Sequence, residues 1–339
     1  LTPVTRNLVV LSPNWLGDAV MALPALADVR RHFSGARLTV AARASVAALF
    51  RMVPGVDEVL TLPGRGGLAA LTSWRQDAAA LAAGGFDTAL LFPNSFASAL
   101  VVSRAGIAER WGLATDGRRR LLTRTALRPR GYAHQADYYQ ALVKALGVEN
   151  GPRHARVEVP PRDASPAPPG PFVVLAPGAA YGKAKQWPPE RFAEVAALAM
   201  VERHWSVVLV GSRADARVCG RIAALATRSV AGSPAGIVDL SGRTSLAELV
   251  AVLAGARAVV SNDSGAMHLA GAVGTPVVAI FGATNERRTS PLTRGPGSPA
   301  PRILATDVWC RPCMLRECPI DHRCMTGIGA RDVLAALGE

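Results

Sequence analysis

Short β-rich runs alternate with helical runs along most of the chain. Leu8 to Leu11 reads as a buried strand, and Asp18 to Phe33 as one helix whose Val20, Leu23 and Ala27 recur at helical spacing. Strands follow at Arg37 to Ala41, Phe86 to Phe92 and Glu109 to Leu113, with helices at Ser95 to Ala105 and Ala136 to Leu146. Seven of the 22 residues from Asn150 to Pro171 are Pro, which reads as an interdomain linker. Beyond it the alternation restarts with strand Phe172 to Leu175, helix Glu190 to His204, strand Ser206 to Val210 and helix Ala214 to Ala226. Strand Ile237 to Leu240, helix Leu246 to Ala254, strand Ala258 to Ser261, helix Ser264 to Val273 and strand Pro276 to Phe281 complete the pattern. Strands alternating with helices of this length predict an α/β chain of two parallel-sheet domains, residues 1–150 and 172–339, joined by the 151–171 linker. A cleft is expected between them. Parallel sheets bind ligands beyond the carboxyl ends of their strands, so the loops after the strands are where chemistry is expected.

At 339 residues and 50% hydrophobic, the chain is long enough for two substantial cores, which excludes a disordered or low-complexity protein. Ser264 to Asn285 carries no charge and is long enough to span a bilayer, but His268, Pro276, Asn285 and four Gly make it a helix plus a strand. Leu1 to Val10 enters a strand without the basic, apolar and small-residue order of a secretory leader, so the expected compartment is the cytoplasm. The net charge of +13 favours anionic partners: nucleotide phosphates, nucleic acid or an acidic membrane surface. It is spread over both halves, 20 basic against 12 acidic residues up to position 165 and 18 against 13 after it. Only Lys144, Lys183 and Lys185 of the 38 basic residues are Lys. Two Lys within three residues, where Arg is otherwise the rule, suggest a need for a compact point charge, although compositional drift leaves the same pattern.

Four loops and one basic run are the candidates. After the first strand, Ser12-Pro13-Asn14-Trp15-Leu16-Gly17-Asp18 puts Asp18 at a helix start, where it is either an N-cap or, at a cleft mouth, a carboxylate able to take a proton from a substrate hydroxyl. After Phe172 to Leu175, the small residues Gly178, Ala179 and Ala180 let backbone amides approach an anion, and Tyr181, Lys183 and Lys185 follow. The plain alternative is an exposed loop with solvated lysines. The third loop runs through Asp263, Ser264, Gly265, Ala266, Met267 and His268 into a helix, whose free amides from Ser264 to Met267 suit a diphosphate. His268 there reads first as a core imidazole. The fourth, with Cys310, Cys313, Cys318 and Cys324, has spacing that fits no standard zinc pattern; a reduced, packed or adventitiously oxidised cluster outweighs zinc, and no catalytic role is assigned. Finally Arg118, Arg119, Arg120, Arg124, Arg128 and Arg130 form either a solvated face or a site for acceptor phosphates or anionic headgroups. No aromatic interleaves this run and no nucleic-acid module is recognisable, so nucleic acid is not expected as a partner.

Taken together, four ordered motifs resemble glycosyltransferase family 9, the bacterial heptosyltransferases of the lipopolysaccharide inner core, and within it the type II branch. They are Pro13-Asn14-Trp15-Leu16-Gly17-Asp18-Ala19-Val20-Met21, Pro177 to Pro188, Asn262 to Ala270, and Cys310 to Met325 with its Pro312, Glu317, Pro319 and His322. The resemblance runs from about residue 7 to the C-terminus. It implies a GT-B fold, two Rossmann-like domains facing each other across a cleft, the first taking the acceptor and the second ADP-heptose. It implies metal-independent, cofactor-free inversion at the anomeric carbon, with Asp18 as base and Lys185 neutralising the leaving diphosphate. Asp263 and His268 would place the donor sugar and loop; Asn14 and Trp15, with Arg118, Arg119 and Arg120, would face the acceptor, a heptosyl-Kdo-lipid A at the inner leaflet of the cytoplasmic membrane. Two departures are visible: Ser264 where Thr is usual, and Gly282-Ala283-Thr284 where Gly-Pro-Thr is commoner.

Overall fold

The computed structural model describes residues 5–64, 70–131, 133–161, 164–230 and 235–338, of 70–72 the backbone only. They form two compact units, dividing between His154 and Ala155.

The first unit is a six-stranded parallel sheet in the order β3-β2-β1-β4-β5-β6. Its strands are β1 (Asn7–Leu11), β2 (Arg37–Arg43), β3 (Glu58–Leu62), β4 (Thr88–Leu91), β5 (Glu109–Leu113) and β6 (Arg124–Ala126). The helices are α1 (Leu16–Met21), α2 (Leu23–His32), α3 (Ala44–Phe50), α4 (Ala70–Ala83), α5 (Phe96–Arg104) and α6 (Gln135–Ala145). β1 and β4, with the registers Leu8↔Leu38 and Leu8↔Thr88, are the central strands and are buried almost throughout. That double burial is why they read as continuous apolar runs. The helix expected from Asp18 to Phe33 is instead two helices meeting at Ala22. Pro24, two residues into α2, has no amide for the Val20 carbonyl, which breaks the ladder there.

The second unit repeats the topology, in the order β12-β11-β10-β7-β8-β9. Its strands are β7 (Phe172–Ala176), β8 (Ser206–Leu209), β9 (Ile237–Asp239), β10 (Ala258–Asn262), β11 (Val277–Phe281) and β12 (Arg302–Ala305). The helices are α7 (Pro189–Glu202), α8 (Ala216–Ser229), α9 (Leu246–Gly255), α10 (Gly265–Val273), α11 (Glu286–Thr289), α12 (Arg323–Thr326) and α13 (Ala330–Ala336). Numbered from its own first strand, each sheet runs 3-2-1-4-5-6, the doubly wound order that opens a crevice where the winding reverses. The reversal lies between β1 and β4 in one unit and between β7 and β10 in the other.

Part of the Pro-rich stretch is packed rather than free. Ala155 and Val157 are fully buried, and their amides donate to Thr293 and Ala272 of the second unit. The uncharged Ser264 to Asn285 stretch forms α10 and β11, and among the described residues no helix is long and apolar enough to cross a membrane.

Candidate active site

In the second unit the loops after β7, β10 and β11 converge. The loop after β7 carries both lysines on a single 3-10 turn, Lys183–Lys185. The two then diverge: the Lys183 side chain is 83% exposed with Glu317 at 4.0 Å, whereas the Lys185 side chain is 13% exposed and its Nζ lies 2.7 Å from Asp263 Oδ2. Lys185 is therefore the point charge of this loop, and Lys183 is solvated.

What aims Lys185 is the packing around it. Trp187, two residues on, is buried against Phe192 with ring centroids 5.0 Å apart, and its Nε1 donates to the Ile328 carbonyl. Its backbone amide donates to Asn262 Oδ1 at 3.1 Å, while Asn262 Nδ2 donates to the Pro177 carbonyl at 2.7 Å. One asparagine thus ties the end of β10 to both ends of the lysine loop. Gly178 has no room for a side chain, since the Asp215 carboxylate stands 2.6 Å from where a Cβ would be. Ala179 is buried, Ala180 is exposed, and Tyr181 is 37% exposed with Lys185 Nζ 4.9 Å from its ring centroid.

Asp263 is buried at the end of β10, directly before α10. Its Oδ2 accepts from Thr284 Oγ1 at 2.6 Å as well as from Lys185, with Thr289 Oγ1 at 3.5 Å. Asp263 is therefore not a helix cap. Ser264 holds the N-cap position of α10, yet its side chain caps nothing and meets Ser261 Oγ at 3.0 Å instead. Because the Ser264 side chain does not cap the helix, the amides of Ser264, Gly265, Ala266 and Met267 form an anion-suited end. Lys185 and this helix start flank the same strand-end crevice. The side chain of Met267 is core, and His268 is only 2% exposed, the placement of an enclosed imidazole.

The Cys-rich segment brackets these loops from outside. Tyr181 Oη donates to the Met314 carbonyl at 2.7 Å, the Ala184 amide to the Arg316 carbonyl at 2.9 Å, and His322 Nε2 lies 3.0 Å from the Ala184 carbonyl. Gly182 is needed because the Arg316 carbonyl stands 2.4 Å from where its Cβ would be. Arg311 does the same for the loop after β11, donating Nε to the Gly282 carbonyl at 2.6 Å and pairing with Glu286 at 2.8 Å. All five cysteines are free thiols. Among the described residues no three His, Cys, Asp or Glu side chains gather into a metal-holding group. Burial pushes the Cys324 thiol up, with Cys310 and Cys318 adding to the effect.

In the first unit Asp18 lies in the first turn of α1, half-buried. The cap position belongs to Trp15, whose carbonyl accepts from the Ala19 amide at 2.8 Å, so the N-cap reading of Asp18 is corrected. The carboxylate still sits where the helix dipole favours a negative charge. Asn14 and Trp15 are exposed, Trp15 at 65%.

The basic run splits. Arg119 and Arg120 are exposed, but Arg118 is fully buried. Its Nε donates to the Leu113 carbonyl at 2.9 Å, and its Nη1 to the Pro93 carbonyl at 2.6 Å and Ser98 Oγ at 2.9 Å. This guanidinium pins the loop after β4 to the end of β5 and is not presented to an acceptor, which corrects the expectation for Arg118. Burial lowers its pKa, against the pull of Tyr138 and Asp116. Sequence reasoning gave no role to Thr284, Arg311 or Arg316. A signal existed for Thr284, which follows the carboxyl end of β11 in a loop already visible as a departure.

Two doubly wound parallel sheets, one bearing a lysine and an open helix start over its reversal point, define a glycosyltransferase of the GT-B class. Residues 74–323 match the model of glycosyltransferase family 9 (heptosyltransferase), and the chain belongs to that family. It is 30% identical over 303 residues to lipopolysaccharide heptosyltransferase 2 of Escherichia coli K12, covering 85% of this chain and 86% of that protein. It is 28% identical over 325 residues to lipopolysaccharide heptosyltransferase 1 of Pseudomonas aeruginosa, covering 92% and 87%. Among solved structures it is similar to E. coli ADP-heptose lps heptosyltransferase II, with a TM-score of 0.81 and 27% identity over 98% of this chain and 97% of that one.

Proposed function

We propose that the protein transfers L-glycero-D-manno-heptose from ADP-heptose to the first heptose of the lipopolysaccharide inner core, with inversion and without a metal ion. The observation that carries this reading is the pairing of Lys185 with the start of α10, which the Ser264 side chain does not cap, at one strand-end crevice. That pairing suits a nucleoside diphosphate: the amides take phosphate oxygens, and the ammonium neutralises charge as it develops on the leaving group. These groups supply the positive potential that a divalent ion supplies in other phosphate chemistry, which supports a metal-independent reaction. The similarity to E. coli ADP-heptose lps heptosyltransferase II supports the donor.

In this reading the second unit holds the donor and the first the acceptor. Asp18 removes the proton from the acceptor hydroxyl, the oxygen forms its bond to the anomeric carbon, and the bond to ADP breaks on the opposite face. Configuration inverts because one displacement occurs. Lys185 transfers its hydrogen bonding from Asp263 to the diphosphate as the bond breaks. Gly178 to Tyr181 and Asp263 line the donor side, while Asn14, Trp15, Arg119 and Arg120 face the acceptor. The working place is the cytoplasmic face of the inner membrane, where the chain's +13 charge and its exposed arginines meet anionic lipid.

A second acceptor is favoured by one observation, the 28% identity to a type 1 enzyme across most of this chain. The same donor would then be used one sugar earlier. Calorimetric titration with ADP, GDP, UDP and a short oligonucleotide at two salt concentrations tests the donor assignment. Selective ADP binding lost in Lys185→Ala is the expected result. Binding of the oligonucleotide alone, with steep salt dependence, would make the protein a basic binding module instead.

A further inference from the structure

Asp263 Oδ2 accepts two short hydrogen bonds, from Lys185 Nζ at 2.7 Å and from Thr284 Oγ1 at 2.6 Å. The Asp263 side chain is 4% exposed and that of Lys185 13%, so this ion pair lies mostly out of water. A buried carboxylate that loses its paired cation is strongly destabilised. For Lys185 to turn toward a diphosphate, Asp263 needs another donor that stays behind. Thr284 is built to stay: it is 3% exposed, and its loop is held by the Arg311 bond to the Gly282 carbonyl at 2.6 Å and by the Met314 amide on the Ala283 carbonyl at 2.9 Å. Those bonds come from the Cys-rich segment, which gives that segment a part in the site without any metal or redox step.

We propose that Thr284 is a positioning residue: its hydroxyl holds Asp263 Oδ2 while Lys185 leaves the carboxylate for the donor's diphosphate. The inference rests on the donor reading above. Thr284 touches neither sugar nor phosphate in this scheme. It sets how firmly Asp263 competes with the diphosphate for the same ammonium. Without the hydroxyl, the carboxylate retains Lys185, and the diphosphate must leave a buried charge nearly unpaired in order to bind.

The test is calorimetric titration of the full chain with ADP, which lacks the sugar that Asp263 would contact. Wild type is compared with Thr284→Val, Thr284→Ser and Asp263→Asn, and with the Thr284→Val/Asp263→Asn double variant. Thr284→Val is expected to weaken ADP binding about tenfold, the scale of one hydrogen bond to a charged group. Thr284→Ser restores affinity to within about twofold of wild type on the same grounds. On the Asp263→Asn background the valine substitution changes affinity less than about twofold, because no charge is left to compete for Lys185. A purely structural hydroxyl would not produce that coupling. Should Thr284→Val fail to fold, Thr284→Ala is read the same way. ADP affinity unchanged in Thr284→Val, or an equal loss on both backgrounds, overturns the inference while leaving the donor reading intact. Failure of wild type to bind ADP overturns both.

Discussion

Replacing Arg118 by Ala separates a structural arginine from an acceptor-binding one. The guanidinium donates to the carbonyls of Leu113 and Pro93 and to Ser98 Oγ, in a site with no exposure to solvent. Truncation removes a charged donor from two carbonyls, of which that of Leu113 keeps the Thr115 amide at 2.9 Å and that of Pro93 keeps the Ser98 hydroxyl at 3.5 Å; the loss is about 1.5–3 kcal/mol for each charged bond, together with a cavity. Against this, the folded protein no longer desolvates a charge, whose cost is visible in the lowered pKa of Arg118. The lost charged bonds and the cavity outweigh that relief, so the balance is a loss of about 2–5 kcal/mol. For a unit of this size that lowers the unfolding midpoint by roughly 5–15 °C. The assay is differential scanning calorimetry of the full chain, following the transition of the first unit, beside Arg119→Ala and Arg120→Ala. Those two exposed residues are expected to change the midpoint by less than about 2 °C. A midpoint unmoved by Arg118→Ala, with acceptor affinity lost instead, would refute the reasoning.

Three further outcomes are expected. Asp18→Asn lowers kcat by at least about 100-fold, as loss of a general base does, while ADP affinity measured by calorimetry stays within about twofold. A thiol reagent at pH 8 modifies Cys310, Cys313 and Cys318 in the folded chain and reaches the buried Cys219 and Cys324 only after denaturation, as peptide mapping would read. Burial pushes the Cys219 thiol up to about 12 from an ordinary 9.0, so above pH 9 the unfolded chain releases a proton that the folded chain keeps. Stability is therefore unaffected by this group below pH 8 and falls as pH rises from 9 toward 12, by about 1.4 kcal/mol per pH unit. Urea titrations of wild type and Cys219→Ala across that range measure it, and equal slopes for the two would contradict it.

Strands buried on both faces were legible because that burial writes a continuous apolar run: β1, β7, β8, β10 and β11 each differ from their expected bounds by one residue, and β5 matches its bounds despite its Glu109-Arg110 start. Of the four edge strands β9 was legible to within a residue, and β3, β6 and β12 were not. β3 and β12 are half-exposed and β6 has three residues, so none carries such a run. The break at Ala22 was legible in principle from Pro24, but the apolar spacing continues across it. At the site, loop position after a strand pointed to Lys185 and to the start of α10. It did not separate Lys185 from Lys183, because that choice is made by how Trp187 packs and by Asp263, 78 residues further along the chain. Arg118 misled for a related reason. Its neighbours Arg119 and Arg120 are exposed, and composition alone gives all three one environment.

The most direct test of the central claim is transfer itself, with ADP-heptose and a heptosyl-Kdo-lipid A acceptor in EDTA, read by mass spectrometry of the lipid. The account predicts that the wild-type chain adds one heptose, that the linkage is inverted relative to the donor, and that Asp18→Asn adds none. No transfer to this acceptor or to the Kdo-lipid A one sugar earlier, transfer abolished by EDTA, or undiminished transfer by Asp18→Asn would contradict it.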